Sequence, residues 1–277
     1  MGFVINNNLA ATNPYRSLNN TQTDLSKSLE KLSTGLRINR AADDAAGLSI
    51  SEGLKSQITG SAQAARNAQD GISVIQTAEG ALTEVHSILQ RVRDLAVKAG
   101  NDSNNADARA AIKAESDALG DELTRIGDST NFNTIKLLDG SANALTFQVG
   151  AGSTALEDQI VVDLSGADVA TLGATVKALT FDTAANALAS IGAVDTEITA
   201  ISTERSTIGA AQNRLENAVR TLNVAGENLQ AAQSRIADVD MAQEMVRFTK
   251  ANILSQAGTA MLAQANQSSQ GVLSLLR

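Results

Sequence analysis

The sequence predicts a mainly α protein, with long helices packed along their length as a coiled-coil rod and one small β-hairpin region. Three observations predict it. The first is an unbroken apolar seam. Alternating steps of three and four from Ile75 reach Ala78, Leu82, Val85, Leu89, Val92, Ala96 and Ala99, and every stop is apolar. That spacing marks a helix buried against other helices along one face. The second is a matching seam late in the chain: Ile191, Val194, Ile198, Ile201, Arg205, Ile208, Gln212, Leu215, Val219, Leu222, Gly226, Leu229, Gln233 and Ile236. The polar stops Arg205, Gln212 and Gln233 suit register markers. About 45 residues of such helix span roughly 70 Å. The third is composition. Among 277 residues there is no Trp, one Tyr, five Phe and one Pro. Aromatics carry much of the buried area of an ordinary core, so their scarcity points to helices packed closely through small residues.

From the N-terminus, Asn13-Pro14 either caps a helix or lies within the first turns of one that starts earlier. Steps of three and four from Tyr15 reach Leu18, Gln22, Leu25, Leu29, Leu32 and Leu36, which makes an amphipathic helix with a Leu seam. Periodicity fails between Arg37 and Gly47. That stretch is a connector in which Asp43 or Asp44 can cap the next helix. The helix runs over about 45–99, with Gly53, Gly60, Gly71 and Gly80 inside it. Interior glycines weaken a helix, so these suggest close backbone approach. Gly100 ends it, and a second helix covers about 106–126.

Three β-like runs follow, Ile135–Leu138, Leu145–Val149 and Ile160–Leu164, with Asp139-Gly140-Ser141 between the first two. They predict a hairpin or small sheet over about 135–164. Residues 165–186 are rich in Ala, Thr and Gly and carry no clear pattern. A long helix covers about 187–236, and a last one runs from Met241 to about Ser268. The apolar residues of the last helix lie almost all round it, so it needs cover on several sides.

The net charge is −8, and the basic residues are scattered. This excludes a nucleic-acid binder of the usual kind. No apolar stretch approaches the ~20 residues of a membrane span. The first residues, Met1 to Asn8, lack the charged and apolar regions of a cleaved signal peptide. There is no Cys and a single His, His86, which reads as a residue on a solvated helix face. The Asp43-Asp44 pair reads as capping and ion pairing with Arg37 and Arg40 rather than acid–base chemistry. Neither a phosphate loop nor a nucleophile elbow is present. The residues therefore predict no enzyme, no cofactor and no metal. Two terminal helices with more apolar surface than they can hide against each other predict self-association. Heterologous contacts that do not close into a ring build an open helical filament.

The sequence resembles bacterial flagellin. The motifs that carry the resemblance are Leu29-Glu30-Lys31-Leu32-Ser33-Thr34-Gly35-Leu36-Arg37-Ile38-Asn39, Asp43-Asp44-Ala45-Ala46-Gly47 and Asn67-Ala68-Gln69-Asp70-Gly71-Ile72-Ser73. Further ones are Gln76-Thr77-Ala78-Glu79-Gly80-Ala81-Leu82, Gln90-Arg91-Val92-Arg93-Asp94-Leu95-Ala96-Val97, Ala263-Gln264-Ala265-Asn266-Gln267 and Val272-Leu273-Ser274-Leu275-Leu276-Arg277. The middle of the chain is short, as in flagellins without a variable outer domain.

The resemblance implies a structural subunit of the extracellular flagellar filament, used for swimming and exported through the flagellar type III channel without a cleaved signal peptide. A hook–filament junction protein is the alternative. It implies that residues 1–43 and 237–277 form the inner filament core and that 44–186 and 187–236 form the rod. Self-assembly then falls to Leu18, Leu25, Leu29, Leu32, Leu36, Ile253, Leu254, Met261, Leu275 and Leu276. The implied partners are further copies of the chain, an export chaperone, the filament cap and hook-junction proteins, with no nucleic acid or membrane. Arg91, Leu95 and Glu115 match a motif seen by the host Toll-like receptor 5. Lattice packing is the first reading of those three residues.

Overall fold

The computed structural model describes residues 9–141 and 144–275. The described elements run α1 (Leu9–Thr34), α2 (Ala45–Ala99), α3 (Ala106–Ser129), β1 (Asn131–Phe132), β2 (Ile135–Lys136), β3 (Ala144–Gln148), α4 (Ala155–Asp158), β4 (Gln159–Asp163), α5 (Val169–Lys177), α6 (Ala184–Ala237) and α7 (Met241–Leu275). The fold is mainly α, with two two-stranded antiparallel sheets. The chain divides into two compact units. One takes residues up to Ser56 together with those from Asn228 onward, and the other takes Gln57–Glu227.

In the second unit, α2 and α6 pack antiparallel. Arg205 donates to Glu79 Oε1 from Nε (2.9 Å) and Nη2 (2.7 Å). Arg93 Nε donates to Asp195 Oδ1 at 2.6 Å. All eight stops of the Ile75–Ala99 seam are at most 1 % exposed. On α6, Val194, Ile201, Ile208 and Leu215 are buried at the same seven-residue period. Arg205 is therefore the register marker that its place on the seam predicts. It is half-buried, and a one-heptad slip would leave Glu79 without its guanidinium.

The small β-region that the sequence predicts is built from two hairpins. β1 and β2 form a hairpin around Asn133 and Thr134, both at positive φ (49° and 67°). Two consecutive residues in that region give the backbone twist of a tight hairpin turn. The remainder of the first β-like run, Leu137 and Leu138, goes into the core at 1 % and 0 % exposure. β3 pairs with β4, Ala144 opposite Asp163 and Gln148 opposite Gln159. This hairpin rests on α2 where glycine allows it. Asn67 Nδ2 donates to the Gln148 carbonyl at 3.1 Å, and a Cβ on Gly71 would meet the Phe147 ring at 3.0 Å. Gly60 and Gly71 thus have the close approach that interior glycines suggest, whereas Gly53 and Gly80 face nothing within 4 Å.

The stretch without a clear pattern contains α5. Asp168 caps it, accepting from the Thr171 amide at 2.9 Å, and Val169, Leu172 and Val176 are buried. Packing against α3 leaves no room for side chains at the crossing. A Cβ on Gly173 would lie 2.3 Å from Thr124 Oγ1 and 2.6 Å from the Gly120 carbonyl oxygen. We expect Gly173→Ala to destabilise the protein by about 1–3 kcal/mol despite alanine's higher helix propensity. Gly209→Ala, where nothing lies within 4 Å, should stabilise by about 0.5–1 kcal/mol. Denaturant midpoints of the two monomeric variants check this; equal shifts would contradict the close crossing.

His86 is half-buried rather than solvated. Its Nε2 lies 2.9 Å from Gln90 Nε2, and its Nδ1 is buried without a partner.

Candidate functional site

The first unit holds the most apolar exposed surface, and its local architecture explains why. α1 begins before Pro14 and ends at Gly35, whose φ of +73° suits a left-handed helix stop and whose amide donates to the Lys31 carbonyl at 2.9 Å. The chain then pairs with the end of α6. Arg37 N donates to the Ala237 carbonyl (2.6 Å), Val239 N donates to the Gly35 carbonyl (3.0 Å), and Leu36 bridges Asp238. Arg37 is not paired with Asp43 or Asp44 as expected. Its guanidinium instead donates to the Ile236 carbonyl, 2.6 Å from Nη2, at the helix end where cations are favoured. Arg40 pairs with Glu30 at 2.9 Å. The capping expectation falls to Asp44, which accepts from the Gly47 amide at 2.8 Å. Asp43 accepts from the Arg40 and Asn39 amides, and these bonds hold its carboxyl below its ordinary range. Asp240 caps α7, accepting from Ala242 and Gln243.

α1 and α7 then run antiparallel. The seam of α1 is Ala11, Pro14, Leu18, Thr21, Leu25, Ser28 and Leu32, all at least half-buried, and Gly35 just past the helix continues it. On α7 the seam is Glu244, Phe248, Ala251, Ser255, Gly258, Leu262 and Ala265. Ser28 Oγ donates to Glu244 Oε1 at 2.6 Å, with Ser28 7 % and Glu244 4 % exposed. Arg247 reaches Glu244 Oε2 at 3.3 Å. A buried carboxylate needs such donors, since losing one leaves the desolvated acceptor unpaired. Leu18 packs over Gly258, where a Cβ would lie 3.3 Å from Leu18 Cδ1.

This seam corrects the Leu frame expected for α1. Leu18, Leu25 and Leu32 lie on it, but Tyr15, Gln22, Leu29 and Leu36 point outward. Both frames contain the same three leucines at a seven-residue period. The structure uses the one whose alternate stops are small or hydroxylic, because α7 comes close through Ala251 and Gly258 and brings Glu244 to Ser28. Glu244 is the site residue that sequence reasoning missed. A lone Glu in the first turn of a helix carries no signal of burial.

The large apolar side chains of α7 that lie off this seam therefore stay mostly uncovered. Val246 is 69 % exposed, Ile253 60 %, Met261 63 % and Leu254 49 %. Met245, Val246, Thr249, Lys250, Ile253 and Leu254 line a shallow, open groove. On α1, Leu29 is 58 % exposed. The side chain of Leu275 and the whole of Leu276 lie outside the described residues. Covering the exposed part of each such Leu, Ile, Val or Met would contribute about 1–2 kcal/mol. The arrangement is suited to burying one helical face against another protein surface.

Elsewhere, Arg91 and Glu115 are exposed and joined by a bond of 3.0 Å from Nε and 2.5 Å from Nη2 to Oε1. Leu95 is 2 % exposed and belongs to the core. Among the described residues no group of three or more His, Cys, Asp or Glu could hold a metal ion, and no helix is long and apolar enough to cross a membrane.

Known families match most of the chain. The description "Bacterial flagellin N-terminal helical region" matches residues 5–143, and "Bacterial flagellin C-terminal helical region" matches 191–276. The chain is 53 % identical over 274 residues to a flagellin of Halalkalibacterium halodurans, covering 99 % of this chain and 100 % of the relative. It is 48 % identical over 305 residues to a flagellin of Bacillus subtilis, covering 99 % of each. A solved structure from Vibrio parahaemolyticus, described as a flagellar hook-associated protein, covers 71 % of this chain and 100 % of its own. Its TM-score is 0.58 at 14 % identity, so that likeness concerns the fold alone.

Proposed function

Because the chain belongs to the bacterial flagellin family, whose members are structural subunits of the extracellular flagellar filament and not enzymes, we propose that its filament drives swimming motility. The observation that carries the finer reading is the uncovered apolar face of α7 beside Leu29 of α1. Copies of the chain bury it, so residues 1–43 and 237–277 form the inner layer of the filament. Residues 44–186 and 187–236 form the rod domain. Leu18, Leu25 and Leu32 serve assembly by holding α1 on α7, whereas Leu29, Ile253, Leu254 and Met261 meet the neighbouring copy. An export chaperone accompanies the subunit before assembly, and the cap and hook-junction proteins meet it at the filament ends. Arg91 and Glu115 are the part of the receptor-like motif free to meet a neighbour or a host receptor; Leu95 supports them from beneath.

The junction-protein alternative is disfavoured by full-length relatives at 53 % and 48 % identity that are flagellins. The test is to add short filament seeds to purified, depolymerised protein and to follow growth by negative-stain electron microscopy. Long uniform filaments are expected, and removal of residues 1–40 or 241–277 should abolish them. Monomers or short capped assemblies under every condition would overturn the filament reading.

A further inference from the structure

We infer that the α7 methionines make the assembly face a site of peroxide modification, so that oxidised subunits are refused by the growing filament. The inference rests on the reading of α7 as a contact between copies. The chain has four Met, no Cys and no Trp. Thioether sulfur is therefore the side-chain group here that a hydroperoxide oxidises readily. Three of the four, Met241, Met245 and Met261, lie on α7 and are 49 %, 49 % and 63 % exposed. The buried core contains no methionine among the described residues. Met245 lines the groove together with Val246, Ile253 and Leu254. A residue type that commonly fills core gaps is thus confined to the surface that must become dry on assembly.

The chemistry is a two-electron oxygen transfer. The sulfur lone pair attacks one peroxide oxygen, the O–O bond breaks, and the proton on the transferred oxygen passes to the departing hydroxide. Hydrogen peroxide is reduced to water and the thioether becomes a sulfoxide. In the free subunit the new S=O group stays hydrated, so the fold is unaffected. In the contact it must be desolvated without a designed donor, which opposes binding. Subunits already in the filament have these sulfurs covered and are protected. The device screens the incoming subunit and spares the finished polymer.

The test compares seeded elongation of untreated protein with that of monomer treated with hydrogen peroxide, oxidation at each methionine being read by peptide mass spectrometry. Oxidised monomer should keep its helical circular dichroism and elongate at least about tenfold more slowly, equivalent to about 1.4 kcal/mol. Methionine sulfoxide reductases should restore the rate. The triple variant M241L/M245L/M261L carries no thioether on α7, so whatever its own rate of elongation, peroxide treatment should leave that rate unchanged, which separates α7 from Met1. A variant-free measurement accompanies it: in assembled filaments the three residues should oxidise at least about tenfold more slowly than in monomer, as expected for covered thioethers. Equal elongation of oxidised and untreated monomer, equal oxidation in filament and monomer, or equal sensitivity of the triple variant would each overturn the inference. Untreated protein that fails to elongate from seeds would instead remove the filament reading on which it stands.

Discussion

Leu29→Asp and Ile253→Asp are each expected to stop filament elongation while leaving the free subunit as helical as the parent. Both side chains are mostly in water in the isolated chain, 58 % and 60 % exposed, so a carboxylate at either place remains solvated. Its cost arises when a second copy covers the surface. An unpaired charge in a desolvated contact opposes association by several kcal/mol, and about 3 kcal/mol already lowers affinity more than a hundredfold. Leu32→Asp is the informative contrast. Leu32 lies one turn beyond Ser28 on the α1–α7 seam and is half-buried. A carboxylate there enters the seam that already holds Glu244, so both helicity and elongation should fall. Circular dichroism of the monomer and seeded growth measure the two effects. Filaments of normal length from Leu29→Asp and Ile253→Asp would rule out this face as the contact. Unchanged helicity in Leu32→Asp would rule out the seam.

Leu89→Ala is expected to be a strongly damaging truncation in the second unit, lowering stability by about 2–5 kcal/mol. Leu89 is fully buried at the centre of the α2 seam, in one cluster with Val85 and Val92. Neighbouring seam residues cannot collapse into the vacated space, because both rods of the pair are continuous helices. Val97→Ala, on the same helix but 50 % exposed, should change stability by no more than about 0.5 kcal/mol. Chemical denaturation of the two variants in monomeric form gives the comparison. A small effect at Leu89 would mean that the α2–α6 seam is not the core of this unit.

The residues that could be placed from sequence share one property, a period long enough to be unambiguous. The α2 bounds, its eight buried stops and the matching α6 seam follow from many consecutive three–four steps. Arg205 stands out as a polar stop on an apolar seam, which is why its role as a register marker is legible. Signals fail where the period is short or shared. In α1 the seven-residue repeat of Leu18, Leu25 and Leu32 fits two frames, and Leu29 falls on the seam in one and outside it in the other. Three short β-like runs do not say which pairs with which, so β1–β2 and β3–β4 could not be told from a hairpin of the first two. α5 is hidden because it is short: Val169, Leu172 and Val176 mark a face over little more than two turns, and the crossing with α3 falls at Gly173 and Gly120, which add no hydrophobic contrast.

By itself, then, the sequence determined that the chain is a set of long helices packed along apolar seams, with more apolar surface at its ends than one copy can bury. Periodicity carries that information because a helix repeats its geometry every turn, and apolar residues at that repeat have to be removed from water. Only the tertiary structure decided which side of α1 meets α7. It also buried Glu244 against Ser28, sent Leu95 into the core below the Arg91–Glu115 pair, and left Val246, Leu254, Ile253 and the three methionines facing outward. Those outcomes depend on how closely two backbones can approach and on where a buried carboxylate finds its donor. Both are properties of pairs of residues far apart in the chain, and no local pattern records them.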